Sequence, residues 1–231
     1  GADERIGALT HPVAHGQELA VRRGRERGRW PLRAPRARPS RPAPQFGAIR
    51  VRCLRTPGHT SGHVCYFAWE DESPDAPALF SGDALLVGGC GRLCEGSTEQ
   101  MLSSLTGVLP ALPKDTKVFC GHECTVRNLK FALKVEPDNE AVKEKLAWAK
   151  HRDDEDLPTV PSTLHEEFLY NPFLRLTEEP VQRFTGQTEP LEVLRALRAE
   201  HDNFKKPKER PPPPAVLALQ WGLFGPLLEK K

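Results

Sequence analysis

The chain has 231 residues, 23 of them proline, with 38% hydrophobic residues and a mean hydropathy of −0.51: long enough for one good core, too polar to be packed from end to end. Its formal charge of +2 is uneven, because residues 21–45 hold nine arginines against the single acid Glu26, so the basicity is local and gives the remainder no general affinity for nucleic acid. No apolar run is long enough to span a bilayer, the longest being the interrupted stretch 215–228, and six cysteines after an opening unlike a leader sequence argue for a protein of a reducing compartment, the cytoplasm, and against a disulfide framework.

The sequence opens at Gly1, as a fragment or partial product would. Residues 1–20 carry His11 and His15 at helical spacing, but Pro12 lies between them, which leaves two loop histidines. Residues 21–45, built of Arg, Pro, Gly and Ala around Trp30, cannot bury enough surface to offset their ordering entropy and are expected to be disordered. An Arg-rich tract can neutralise phosphates, yet no aromatic interleaving or base-reading motif accompanies this one, so a nucleic-acid partner is not expected.

From Ile49 the pattern becomes regular. Ile49, Val51 and Cys53 alternate with Arg50 and Arg52, the period of a half-buried strand. Residues 64–69 and 78–81 form two more strands across an acidic, proline-containing turn, and Cys53 and Cys65 are expected to be buried thiols. Ser97 and Gln100 make a capping box, ahead of a helix whose stripe is Met101, Leu102, Leu105, Val108 and Leu109 and which Pro110 ends. A strand follows at 118–120. Thereafter the spacing is helical: Val126, Leu129, Ala132 and Leu133 on one helix; Val142, Leu146 and Ala149 on a second capped by Asp138 or Asn139; a capping box at Thr163 and Glu166; and a last helix capped by Thr188, with Pro190 in its first turn and Leu191, Leu194 and Leu197 inside. The tail passes through Pro211 to Pro214, a polyproline stretch, and ends apolar, with Trp221, Leu223 and Phe224 able to dock on the domain or on a partner.

Three strand ends carry chemistry. Thr56-Pro57-Gly58-His59-Thr60-Ser61-Gly62-His63 follows the first strand, Ser81-Gly82-Asp83 the third, and Cys120-Gly121-His122-Glu123 the fourth. Glycine allows a sharp turn before each presented side chain. Two imidazoles and a carboxylate suit a divalent metal, although by spacing alone they serve equally as turn-capping residues.

Together with Asp3-Glu4-Arg5-Ile6-Gly7-Ala8-Leu9-Thr10-His11, Gly89-Cys90-Gly91, Leu146-Ala147-Trp148-Ala149-Lys150, Pro158-Thr159-Val160-Pro161-Ser162 and Tyr170-Asn171-Pro172-Phe173, these blocks resemble the hydroxyacylglutathione hydrolases (glyoxalase II) of the metallo-β-lactamase superfamily. The resemblance runs from about Asp3 to Pro207, apart from the Arg-rich segment. It implies an α/β fold: an αββα sandwich lacking its first strands, followed by a C-terminal helical domain. It also implies two zinc or iron ions, and hydrolysis of an S-(2-hydroxyacyl)glutathione thioester by metal-bound hydroxide. By position His59 matches a ligand of one ion, His122 a ligand of the other, and Asp83 the carboxylate shared by both, while His63 matches no ligand. The substrate-binding stretches correspond to Arg92, Leu93 and Cys94, to His122, Glu123 and Cys124, and to Arg198 and His201. The divisions implied are residues 1–20, a remnant of the N-terminal half; 21–45, an insertion; 46–124, the partial sandwich; 125–206, the helical domain; and 207–231, the tail.

The sequence departs from that pattern in ways that matter. The motif Thr-His-x-His-x-Asp-His does not occur in it, so each ion would keep one imidazole and a share of Asp83, fewer than the three protein ligands usual for catalytic zinc. The metal is therefore expected to be at most weakly bound and the 231 residues to be inactive or impaired. Missing strands would leave an unpaired edge or an exposed face beside residues 49–54. Cys94 and Cys124 replace two tyrosines and His201 a second basic residue, whereas Arg92 preserves a lysine's charge; loss of two phenol donors and a cation should weaken recognition of a glutathione thioester. The chain is expected to be a monomer. Two other readings stay open: a non-catalytic interaction protein using the Arg-rich insertion and proline-rich tail, and a single structural zinc on Cys120, His122 and Cys124 with Cys90 or Cys94.

Overall fold

The computed structural model describes residues 14–20 and 48–204. The arginine-rich segment and the tail, with the expectations attached to them, lie outside the described residues.

Six strands form one sheet in the order β1-β2-β3-β4-β5-β6. They are β1 (Glu18–Ala20), β2 (Ile49–Arg55), β3 (Val64–Glu70), β4 (Ala78–Gly82), β5 (Lys117–Cys120) and β6 (Ser162–Thr163). All neighbours are antiparallel except β4 and β5. The parallel pair needs a crossover, which α1 (Thr98–Ser103) and the turns after it provide. The period-2 pattern explains which face is covered. Arg52 stands opposite Phe67, Phe67 opposite Leu79 and Leu79 opposite Val118, so these side chains share one face, and the last three are buried. On that face pack Met101, Leu105 and Leu109 together with Phe131, Val135, Leu164, Phe173, Leu194 and Leu197 from the helical half, in one continuous core. Each such Leu contributes roughly 1.5–3 kcal/mol by leaving water.

The helices are α1, α2 (Thr125–Val135), α3 (Glu140–Asp154), α4 (Leu164–Tyr170), α5 (Glu179–Thr185) and α6 (Pro190–Asn203). The capping boxes at Ser97 and Thr163 are both formed, and Asn139 caps α3. A smaller core, with Val87, Leu129, Ala132, Val142, Leu146, Ala149 and Tyr170, joins α2, α3 and α4. β6 comes from this helical half and pairs with β5, tying it to the sheet.

Three expectations need correction. The helix through Met101 and Leu109 is not continuous: after Ser103 it widens into a π-type turn over Ser104–Val108 and tightens to a 3-10 turn over Leu109–Ala111, with Met101, Leu105 and Leu109 still buried. Thr188 does not cap the last helix; Glu189 occupies the cap position without a side-chain bond, because Pro190, which needs no N–H partner, starts the helix. The edge of β2 is not bare, since three residues of β1 pair with its middle.

The opposite sheet face matches the expectation of exposure. Cys53 stands opposite Tyr66, Tyr66 opposite Phe80 and Phe80 opposite Phe119. Phe80, stacked on Phe119, is 50% exposed, and Tyr66 and Ile49 are also exposed, so a row of large apolar side chains faces outward.

Candidate functional site

The site forms where β2, β4 and β5 end. β4 breaks register between Phe80 and Gly82, and Gly82 adopts φ +51°, a conformation that costs a residue with Cβ; the chain turns and Asp83 points off the sheet end. A Cβ on Gly82 would also lie 2.8 Å from His63 Nε2. His63 itself is held by Thr56, Nδ1 to Oγ1 2.9 Å, and burial with the neighbouring His59 lowers its pKa.

The carboxylate of Asp83 lies between the other two imidazoles. His59 Nε2 is 3.2 Å from Oδ2 and His122 Nδ1 is 2.6 Å from Oδ1. The 59 ring is fixed from behind, since its Nδ1 lies 2.8 Å from the Arg92 carbonyl oxygen. Its two nitrogens thus face two acceptors, whereas a neutral ring has one N–H. A cation between Nε2 and the carboxylate would satisfy the second contact. Two ligands on one tetrahedral zinc, each about 2.0–2.1 Å from it, stand roughly 3.3 Å apart, close to the separation found here. The His122 contact is shorter than that edge and is a direct hydrogen bond from an exposed ring.

The donor types therefore suit zinc or iron, but the number does not. Among the described residues no group of three or more His, Cys, Asp or Glu side chains is arranged to hold an ion. Each ring takes its own carboxylate oxygen, and no third ligand among the described residues joins either pair. The same finding removes the structural zinc on Cys120, His122 and Cys124: the Cys120 thiol bonds to the His122 carbonyl, burial raises its pKa, and Cys124 sits at the cap of α2.

The remaining sequence-selected residues divide into two groups. Arg92 and Cys94 are exposed and Leu93 half-buried on the loop beside His59, with Cys94 Sγ 3.8 Å from His59 Nδ1. Glu123 is turned away from the site: burial pushes its carboxyl up, but hydrogen bonds from Thr159 and Thr125 carry it below the usual carboxylate range. Arg198 and His201, by contrast, are buried on α6, 3% and 5% exposed.

Their partners were not legible in the spacing. The loop 86–92, which connects Asp83 to the residues beside His59, has its backbone held by side chains of the helical half. Asn171 Nδ2 donates to the Gly89 carbonyl at 3.1 Å, Asn128 Nδ2 to the Val87 carbonyl at 3.0 Å and Arg198 Nη1 to the Cys90 carbonyl at 2.9 Å. The Gly88 N–H donates to Glu167 Oε2 at 3.0 Å, and Glu167 also receives Ser162 and Tyr170 hydroxyls; burial still raises its pKa. Arg198 and the blocks that hold Ser162, Tyr170 and Asn171 stand out in the sequence, though not in this role; Asn128 and Glu167 do not.

Residues 123–204 match the family described as "Hydroxyacylglutathione hydrolase C-terminus". A chicken (Gallus gallus) protein named hydroxyacylglutathione hydrolase-like protein is 69% identical over all 231 residues, which cover 73% of its length. The mouse (Mus musculus) protein of that name is 56% identical over 97% of this chain and 71% of its own. The chain belongs to the hydroxyacylglutathione hydrolase family. A hydroxyacylglutathione hydrolase of Arabidopsis thaliana, named as cytoplasmic, is 47% identical over 68% of this chain and 60% of its own. Among solved structures, a metallo-β-lactamase from Staphylococcus aureus aligns over 94% of this chain and 44% of its own, at 19% identity and a TM-score of 0.46. In this member of the hydroxyacylglutathione hydrolase family, no helix among the described residues is long and apolar enough to cross a membrane.

Proposed function

We propose that His59, Asp83 and His122 are the retained half of a two-ion centre, zinc or iron, belonging to a cytoplasmic hydrolase of glutathione thioesters. The observation that carries this reading is the single carboxylate placed between two imidazoles at three strand ends, 3.2 and 2.6 Å away, in a chain of this family. The ions, when bound, would supply the activated water. Among the described residues neither coordination sphere is completed, so no chemical step is assigned to them alone.

What the chain's own groups would do is orient and bind. The Arg92 carbonyl and Asp83 hold the His59 ring from two sides. Arg92, exposed on the same loop, offers a cation to a carboxylate of the tripeptide, and Cys94 and Cys124 stand where a stronger donor would serve it better. Leu93 and Glu123 flank these positions. The outward apolar face with Tyr66, Phe80 and Phe119 supports an αββα sandwich whose other sheet these residues do not form.

Zinc and iron analysis of the purified 231-residue chain, beside turnover of S-lactoylglutathione, tests the reading. The expected result is substoichiometric metal that dialyses away, increased by added zinc and lost in Asp83→Asn, with no turnover above buffer. Two tightly held ions and rapid hydrolysis would refute the incomplete centre; zinc binding indifferent to Asp83→Asn would refute the site.

A further inference from the structure

The loop 86–92 is gripped at both ends. At its far end it supports the site directly: the Gly91 N–H donates to the Asp83 carbonyl at 2.8 Å, and the Arg92 carbonyl accepts from His59 Nδ1. At its near end two of its carbonyls are reached from α6 by one hydrogen-bonded chain whose direction is determined throughout. Arg198 cannot accept, so its Nη2, 2.7 Å from His201 Nδ1, is the donor and that nitrogen carries no proton. His201 Nε2 then bears the hydrogen and donates to Asn128 Oδ1 at 3.1 Å, and Asn128 Nδ2 donates to the Val87 carbonyl. From the same guanidinium, Nη1 donates to the Cys90 carbonyl, one residue before Gly91. Arg198 is further fixed by Asp202 at 2.6 Å and by the Phe173 ring 5.0 Å from its Cζ.

We propose that Arg198, acting with His201 and Asn128, is a positioning residue that holds loop 86–92 and through it the orientation of His59 and Asp83. This adds a structural duty to the substrate-binding role that family position implies for Arg198 and His201. The guanidinium is 3% exposed, and both of its terminal nitrogens are engaged inside the protein. The loop backbone lies close against its neighbours. A Cβ on Gly91 would lie 2.5 Å from the Asp83 carbonyl oxygen, and one on Gly89 2.8 Å from the Asn128 side chain, so neither position admits a side chain without a shift of its neighbours.

The proposal takes the identity of the site from the reading above, but one of its readouts does not. The test uses the full chain with nitrogen-15 histidine, and the variants Arg198→Met, Arg198→Lys and His201→Gln. Long-range proton–nitrogen spectra report which ring nitrogen of His59 carries hydrogen, the signal being assigned by its loss in His59→Gln. Calorimetry with zinc alone and with glutathione alone supplies two further readouts, and circular dichroism establishes folding. In the wild type His59 should be protonated at Nδ1. In Arg198→Met and His201→Gln, folded by circular dichroism, that signature should give way to mixed tautomers and zinc affinity should fall about 10–100-fold, the range for lost outer-shell support of a ligand. Arg198→Lys should restore part of both through the Cys90 carbonyl.

A wild type that binds no zinc would sink the metal reading, while the His59 signature would still decide the positioning role. Folded variants with an unchanged His59 signature would overturn the proposal, and lost glutathione binding in those same variants would return Arg198 to the substrate. Unfolding of all three variants would also overturn it, making the network a stability element only.

Discussion

Acid should reveal the buried imidazole of His201, and removing that imidazole should remove the effect. The ring is 5% exposed, packed edge-on to Phe131 and Phe173, and its pKa is lowered to about 3, first by burial and then by Arg198 and Arg127, with Arg92 adding to them and Asp202 opposing. In the unfolded chain the same ring titrates near 6.5. Between those values the unfolded state binds a proton that the native state refuses, so the stability associated with the neutral ring is complete above pH 6.5 and is lost as pH falls toward 3. Two-state linkage puts the loss between pH 7 and pH 5 at about 2 kcal/mol, a figure that changes little for any native pKa below about 4. The assay is urea denaturation of wild type and His201→Gln at both pH values, comparing the two decrements. Carboxylates and the other histidines titrate alike in both proteins and cancel, so the wild type should lose about 2 kcal/mol more than the variant. Equal decrements would refute the reasoning, as would direct titration of His201 near pH 6.

Other perturbations test separate parts of the structure. Arg175→Met strands Glu136, 2% exposed and held by two 3.0 Å bonds, and should cost about 3–5 kcal/mol in urea denaturation, the usual result of leaving a buried charge unpaired. Phe131→Ala empties the contact with Phe173, Phe184 and Phe204 and should cost about 3–5 kcal/mol; a cost below about 1 kcal/mol would mean the two halves do not share this core. Gly91→Ala forces the loop from the Asp83 carbonyl and should lower zinc affinity at least about 10-fold in calorimetry while circular dichroism is preserved. Chelation with EDTA should leave the melting temperature unchanged, because an ion held by one imidazole and a shared carboxylate binds too weakly to add measurably to stability.

Much of this was legible because it is local. Alternation in residues 49–54 and 64–69 specifies which side of a strand is covered, and Ser97 with Gln100 or Thr163 with Glu166 needs only neighbours three residues apart to start a helix. The strand-end glycines likewise pointed to His59, Asp83 and His122, and the carboxylate does meet both rings. Legibility ended where a partner is distant. Thr188 looked like a cap in a window that could not weigh Pro190 as the first helical residue, and the stripe from Met101 to Leu109 kept its buried positions while its backbone changed pitch.

Short-range spacing in the sequence determined the central strands β2 to β5 and most of the helices, while the family, and with it the three side chains brought together at the sheet end, came from the blocks that resemble it. Only the tertiary structure decided which groups Arg198, His201, Asn128 and Glu167 meet. Charge and family position drew attention to the first two, but the groups a side chain meets when water is excluded are set by the fold. In this fold those groups are the backbone of loop 86–92.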